Sequence, residues 1–307
     1  MASNSFSNVK NLRFVIILGV GNPNTFAAGG PQANTITIQG MRATAYIDNA
    51  GADNMGTLKA QIYGLNLNDI NSLTSAQWSY ASGQLPNLIQ VWAIDGQQET
   101  LIFNGNYING WADFRAMPEV YFFIDAVVGY QGQMIAGDPT SLASDSTVSV
   151  LMNKIAGQMQ LKFENSLTSE IAVKKGTYLG STYMEQAKTL MQMFNFWMYV
   201  DPTTNPATLA ICNRGTPRTT AVSPLISPTT GLIGYPTLNA SGINFEAFFN
   251  PAIGFGNLVQ VQSSIKKANG PFIATQVSHE LTSVTPGGPW KTIVNAVPQY
   301  LFGRTAS

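Results

Sequence analysis

The chain is written in short strand-length runs, several of them of period two. Thr35–Gln39, Met41–Ile47 and Lys59–Leu65 alternate apolar with polar residues, and Phe14–Val20, Leu88–Ile94, Glu99–Asn104 and Val120–Val128 are further runs bounded by Gly, Pro or Asn. Successive side chains of a strand point to opposite faces, so such runs at about ten-residue spacing predict an antiparallel sandwich or barrel. One side of these strands carries Thr, Gln and Asn, as in a sheet half-exposed to water or to a partner. Asn66–Gln77, with Leu67, Ile70 and Leu73, predicts one short helix.

The middle of the chain changes period. Val148, Leu151, Met152, Ile155 and Met159 fall at helical spacing after Asp145 or Ser146 as N-cap, and Gln160–Phe163 reads as a strand. A second copy of the pattern follows. Thr182 and Glu185 form a capping box ahead of Met184, Ala187, Leu190, Met191 and Phe194, with strands at Phe196–Val200 and Ala207–Cys212. The Met and aromatic stripe reads as core packing rather than as a cofactor pocket. The last third returns to strands: Leu258–Ser263, Phe272–Ser278 and Lys291–Val297, after a Pro-rich linker or extended arm over Thr216–Pro228. The fold class is therefore mainly β with an α/β insert (α+β). Its expected parts are residues 1–138, 139–215 and 216–307.

Only 10 % of the residues are charged and the net charge is zero, where an ordinary soluble domain carries about 25 % charged residues. That balance excludes a disordered chain, a generic nucleic-acid binder and a coiled coil. A neutral surface resists self-association poorly, which suits a protein that lives inside an assembly. The single cysteine, Cys212, excludes an internal disulfide framework and suits a reducing cytoplasm. No run approaches the roughly 20 apolar residues of a membrane span. Phe14–Val20, preceded by Lys10 and Arg13, has the outline of a signal-peptide core, but an Asn-Pro turn follows it and a strand fits better.

Catalytic chemistry is hard to place. His279 is the sole histidine, so any triad or metal site would have to use it alone, and a structural histidine at a strand end fits better. Gly19-Val20-Gly21 lacks a third glycine and a following helix. Ser264–Lys267 spells Ser-x-x-Lys only by chance, and the sequon Asn239-Ala240-Ser241 has no meaning without secretion. Asp125, Asp138 and Asp145 read as turn or cap residues, not as a glycosidase pair. Lys174-Lys175 and Lys266-Lys267 read as solvated turns. No cofactor, metal or catalytic residue is expected.

The most individual stretch is Pro224–Phe255. It runs from a Pro-bounded arm into Gly231-Leu232-Ile233-Gly234-Tyr235-Pro236, then an apolar run ending Phe248-Phe249-Asn250-Pro251. Gly270–His279 and Trp290-Lys291-Thr292 repeat the theme of paired strands. This resembles the C-terminal domain of phage baseplate hub proteins of the late-control-D type, closely over residues 222–297 and architecturally elsewhere. The segment Glu280–Pro289 departs from the pattern, being longer and lacking a Gly-Asp turn.

The resemblance implies two tail-tube-like β-barrel domains joined by a small α/β module. It further implies a homotrimeric ring that adapts a sixfold tail tube to a threefold central spike and leaves a channel for DNA. Implied partners are the chain itself, tail-tube or tube-initiator proteins, the spike and the tape-measure protein, with DNA passing without sequence-specific binding and no membrane insertion. The implied location is the virion, after assembly in the host cytoplasm. The residues expected to serve assembly are Gly231, Leu232, Ile233, Gly234, Tyr235, Pro236, Phe248, Phe249, Asn250, Pro251, His279 and Trp290. Three other readings remain open: the hub of a related contractile injection system, a β-rich adhesin or carbohydrate-binding protein, and a tail-borne cell-wall hydrolase. The adhesin would be monomeric and expose tryptophans such as Trp92, Trp111, Trp197 or Trp290; the hydrolase needs a cleft with paired acids.

Overall fold

The computed structural model describes residues 10–18, 34–49, 55–75, 87–134, 136–218 and 223–299. The end of the run Phe14–Val20, the turn after it, the last residues of Asn66–Gln77 and residues 219–222 of the arm lie outside them.

The chain divides into two compact units. One comprises Met1–Ile47, Thr57–Val127 and His279–Trp290. It holds β1 (Lys10–Ile17), β2 (Thr35–Gln39), β3 (Ala43–Asn49, to Ile47), β4 (Thr57–Tyr63), α1 (Leu67–Leu73), β5 (Asn87–Asp95), β6 (Gln98–Asp113) and β7 (Tyr121–Val127). Their hydrogen-bonded order is β3-β4-β7-β6-β5-β1-β2. β1 pairs with β5 from Lys10↔Asp95 to Ile17↔Leu88, and β4 with β7 from Thr57↔Val127 to Tyr63↔Tyr121. Alternation puts Leu12, Phe14 and Ile16 of β1 inside with Ile89, Val91, Phe122 and Ile124. Burying one such side chain stabilises the fold by about 1.5–3 kcal/mol. Asn66 caps α1 by accepting from the Asp69 amide at 2.9 Å, and the buried Tyr107 hydroxyl donates to the Leu73 carbonyl at its other end. A Cβ at Gly110 would lie 1.7 Å from that hydroxyl oxygen, so only glycine fits there.

The other unit comprises Asp48–Gly56, Val128–Ser278 and Lys291–Ser307. Its helices are α2 (Tyr130–Met134), α3 (Val148–Gln158) and α4 (Tyr183–Phe194). Short strands β8 (Thr140–Ser141), β9 (Ser146–Thr147), β11 (Ala172–Val173) and β12 (Tyr178–Leu179) pair as β9 with β11 and β8 with β12. A three-stranded sheet runs β10 (Lys162–Ser166), β14 (Thr208–Asn213), β13 (Phe196–Asp201), with β10 parallel and β13 antiparallel to β14. The helix α3 packs on α4 and β10, and α4 on β13. The α/β pattern is where its periodicity placed it, but the cap of α3 is Thr147, whose hydroxyl accepts from the Val150 amide; Asp145 instead accepts from the Lys175 amide. Half of the capping box at Thr182 forms: its hydroxyl accepts from the Glu185 amide, while the Glu185 carboxylate pairs with Lys188.

The C-terminal strands are β15 (Leu225–Ile226), β16 (Leu232–Leu238), β17 (Ile243–Phe248), β18 (Leu258–Val261), β19 (Gly270–Ser283) and β20 (Trp290–Pro298). They are ordered β16-β17-β20-β19, with β18 between β15 and β19. Tyr199, Ala210 and Cys212 of the three-stranded sheet share one core with Phe245, Phe255, Val259, Val277 and Val294. The described residues of the stretch Thr216–Pro228 pack against the fold: Arg218, Ile226 and Ser227 are buried. The strand read as Phe272–Ser278 runs on to Ser283, so His279 lies within β19 and not at its end. Among the described residues the fold is mainly β with four helices, and no strand order closes into a barrel; the expectation of two barrels narrows to two β-rich units.

Candidate assembly surfaces

Strands β16 and β17 build the first surface. Leu232 faces Ala247 and Ile233 faces Glu246, yet four residues later Thr237 faces Asn244, only two residues back along β17. The strand β16 therefore bulges by two residues at Gly234-Tyr235-Pro236. Gly234 takes φ +65°, in the left-handed region that favours glycine, and Pro236 has no amide to donate. The bulge leaves Tyr235 71 % exposed while Leu232 and Pro236 stay buried. Gly231, at φ +116°, accepts a 2.8 Å bond from the Phe248 amide, so arm and corner meet. Asn250 turns the corner by accepting from the Ala252 amide at 3.0 Å; Phe249 is half-buried and Pro251 exposed. His279 and Trp290 are buried in the other unit, where the Lys10 ammonium lies 5.7 Å from the Trp290 ring centre. Burial pushes the His279 imidazole down to about 4.

The outer face of β17, β20 and β19 carries a row of bonded polar groups beside the Lys291–Glu246 ion pair. Asn244 Nδ2 donates to Asn295 Oδ1 at 2.7 Å, Asn295 Nδ2 to Gln276 Oε1 at 2.7 Å, and Gln276 Nε2 to Asp48 Oδ1 at 3.0 Å. Ser278 Oγ adds a 2.7 Å bond to the same Asp48 oxygen. Every amide donates in one direction, and the row ends on a carboxylate that only accepts. Chains of this kind polarise one another and strengthen cooperatively. Alternation along Phe272–Ser278 and Lys291–Val297 foreshadowed part of this face; the Asn244 strand was read as an apolar run, and the cross-strand partners could not be read without the register.

Arg218 is the group that sequence reading missed. Its guanidinium grips Glu164 of β10 through Nε at 3.0 Å and NH2 at 2.9 Å, and it also donates to Asp201 of β13. Its backbone amide donates to the Gly256 carbonyl at 2.7 Å. The two carboxylates hold the guanidinium's pKa up against burial, which pulls it down. One side chain thus ties the start of the arm to the α/β sheet.

In the first unit, β4, β7 and β6 carry an aromatic outer face. The Trp111 and Phe123 rings lie 4.5 Å apart and Tyr63 and Tyr121 5.6 Å apart. The Arg42 guanidinium stacks 3.8 Å over Tyr63 and pairs with Glu119. Arg42, Tyr63, Glu119 and Tyr121, with Pro118 and a floor of Ile70 and Phe122, line a cavity of about 360 Å³. Trp111 is 45 % exposed. Trp92 lies under Arg13, Trp197 against Tyr199, and Trp290 is buried.

Asp125 is a strand residue of β7, opposite Lys59, and burial raises its pKa; the reading as a turn residue is corrected. Burial pushes the Cys212 thiol up to about 11, which leaves it un-ionised and poorly reactive at neutral pH. No group of three His, Cys, Asp or Glu side chains among the described residues is placed to hold a metal, and no described helix is long and apolar enough to cross a membrane.

Solved structures share the fold. The tail protein of Neisseria meningitidis MC58 aligns over 94 % of this chain and 96 % of its own, at TM-score 0.59 and 9 % identity. The 43 kDa tail protein of prophage MuSo2 from Shewanella oneidensis aligns over 95 % and 97 %, at 0.56 and 11 %. The E. coli c3393 protein, a component of the type VI secretion system, aligns over 84 % and 73 %, at 0.55 and 10 %. No curated protein matches in sequence. The sequence model of the family described as baseplate hub gp41 matches residues 24–286, in step with the tail-protein fold of both units, and the chain belongs to that family of structural, non-enzymatic phage-tail proteins.

Proposed function

We propose that three copies of the chain form a ring in the tail baseplate, adapt a sixfold tail tube to a threefold spike and leave a channel for DNA. One observation carries this reading: each chain holds two compact β-rich units, so a threefold ring presents six of them toward a sixfold tube. In functional terms the chain then reads as two tail-tube-like β parts, residues 1–138 and 216–307, around an α/β part at 139–215. That each β part corresponds to a tail-tube barrel belongs to the proposal.

The row of bonded amides from Asn244 to Gln276, which ends on the Asp48 carboxylate, supports it. Uncharged polar groups already bonded to each other can be covered by a neighbouring copy without the desolvation cost of ions. Partners in this reading are further copies, tube or tube-initiator proteins, the spike and the tape-measure protein, assembled in the host cytoplasm. A reconstruction of the parent particle by cryo-microscopy tests it: a hub layer of three copies around an open channel supports the ring, and a layer of one or six copies overturns it. A second reading, the hub of a contractile injection particle, draws on the fold shared with the type VI secretion component. A DNA-free particle carrying the protein would favour it.

A further inference from the structure

Resting on the ring proposed above, we propose that Tyr235 of one copy inserts into the cavity between Arg42, Tyr63, Tyr121 and Glu119 of a second copy, forming the contact that joins neighbours. In a closed ring the contact between copies is heterologous, so each chain must present a projecting group on one patch and its receptor on another. The chain carries such a pair, one in each compact unit.

The projecting group is built by the two-residue bulge of β16, which turns Tyr235 outward, 71 % exposed, between the left-handed Gly234 and the buried Pro236. Leu232–Leu238 contains no charged residue and the Glu246 opposite Ile233 is neutralised by Lys291, so the projecting patch suits a receptor without net charge. The cavity meets that condition because Arg42 and Glu119 neutralise each other at its rim. It also suits an aromatic ring: Tyr63 and Tyr121 form walls, Ile70 and Phe122 the floor, and about 360 Å³ admits one large side chain. The Tyr235 hydroxyl finds an acceptor in the Glu119 carboxylate and a donor in the Arg42 guanidinium. Tyrosine and arginine are the residue types that dominate interface energetics. Tyr178 is nearly as exposed, at 66 %, but its ring lies along its own backbone, 3.3 Å from where a Cβ on Gly180 would stand. It is therefore not the inserted group.

The test uses the full chain in assembled tails. With p-benzoylphenylalanine in place of Tyr235, irradiation is expected to cross-link one copy to residues 59–65 or 117–122 of another. A cross-link only to a different tail protein, only within one chain, or none at all overturns the insertion, even where the reconstruction shows three copies; the number of copies judges the ring separately. Tyr235→Ala and Arg42→Ala are each expected to lower incorporation of the chain into tails about thirtyfold, while keeping the wild-type thermal transition. Tyr178→Ala is expected to assemble normally. Wild-type incorporation of Tyr235→Ala overturns the proposal.

Discussion

His279 sits within β19 shielded from water, and its pKa of about 4 makes it a titration point for the fold. Above pH 6.5 it is neutral whether folded or unfolded and changes nothing. As the pH falls from 6.5 to 4 the unfolded chain takes up a proton that the folded chain refuses, so stability drops. Between pH 7 and pH 4.5 this group alone is expected to cost about 2–3 kcal/mol, read from denaturant unfolding at the two values. His279→Gln should remove that part of the acid slope. Arg218 works in the opposite sense, through charge kept buried. Arg218→Met leaves Glu164 and Asp201 without their cation and is expected to cost about 3–5 kcal/mol, while Arg218→Lys restores the charge but not the fork that meets both Glu164 oxygens. A structural role for the lone histidine could be read from the chain, but not its place inside β19. The Arg218 cluster was not, because its partners lie 54 and 17 residues away.

Elements were legible wherever the period stayed regular. The β2 strand matches its run residue for residue, and both long helices lie where their apolar stripes put them, because spacing is a local property. The misses have physical causes. The strand β6 continues to Asp113 through Asn- and Gly-rich sequence that reads as turns, held in the sheet by pairing with β7. In β16 and β17 the bulge breaks alternation on one strand, so the pair reads as an arm with a corner. Two substitutions probe elements one at a time. Thr182→Ala removes the hydroxyl that caps α4 and is expected to cost about 1 kcal/mol in denaturant unfolding. At Gly234 nothing lies within 4 Å of where a Cβ would stand, so Gly234→Ala isolates the backbone penalty of a left-handed residue, about 1–2 kcal/mol.

At the scale of the molecule, a net charge of zero with 10 % charged residues limits how copies can attract one another. Self-association, or incorporation into tails, is expected to change less than about threefold between low and high salt, measured by sedimentation or by tail assembly, because Arg42 and Glu119 neutralise each other and meet an uncharged tyrosine, which leaves screening no net charge to act on. A steep salt dependence would point to charged contacts elsewhere. Composition made this neutrality legible at once; its arrangement into a bonded row on one face and a self-neutralised cavity on another depends on register and on pairs distant in sequence. The one-way row from Asn244 through Asn295 and Gln276 to Asp48 has a further consequence, for descent rather than stability. Reversing any one amide sets donor against donor or acceptor against acceptor, and deleting one leaves its neighbours unpaired, so single changes are expected to be selected against while compensated ones pass. Across divergent lineages these four positions should therefore be inherited as a set, and be replaced as a set, more often than their neighbours on the same strands.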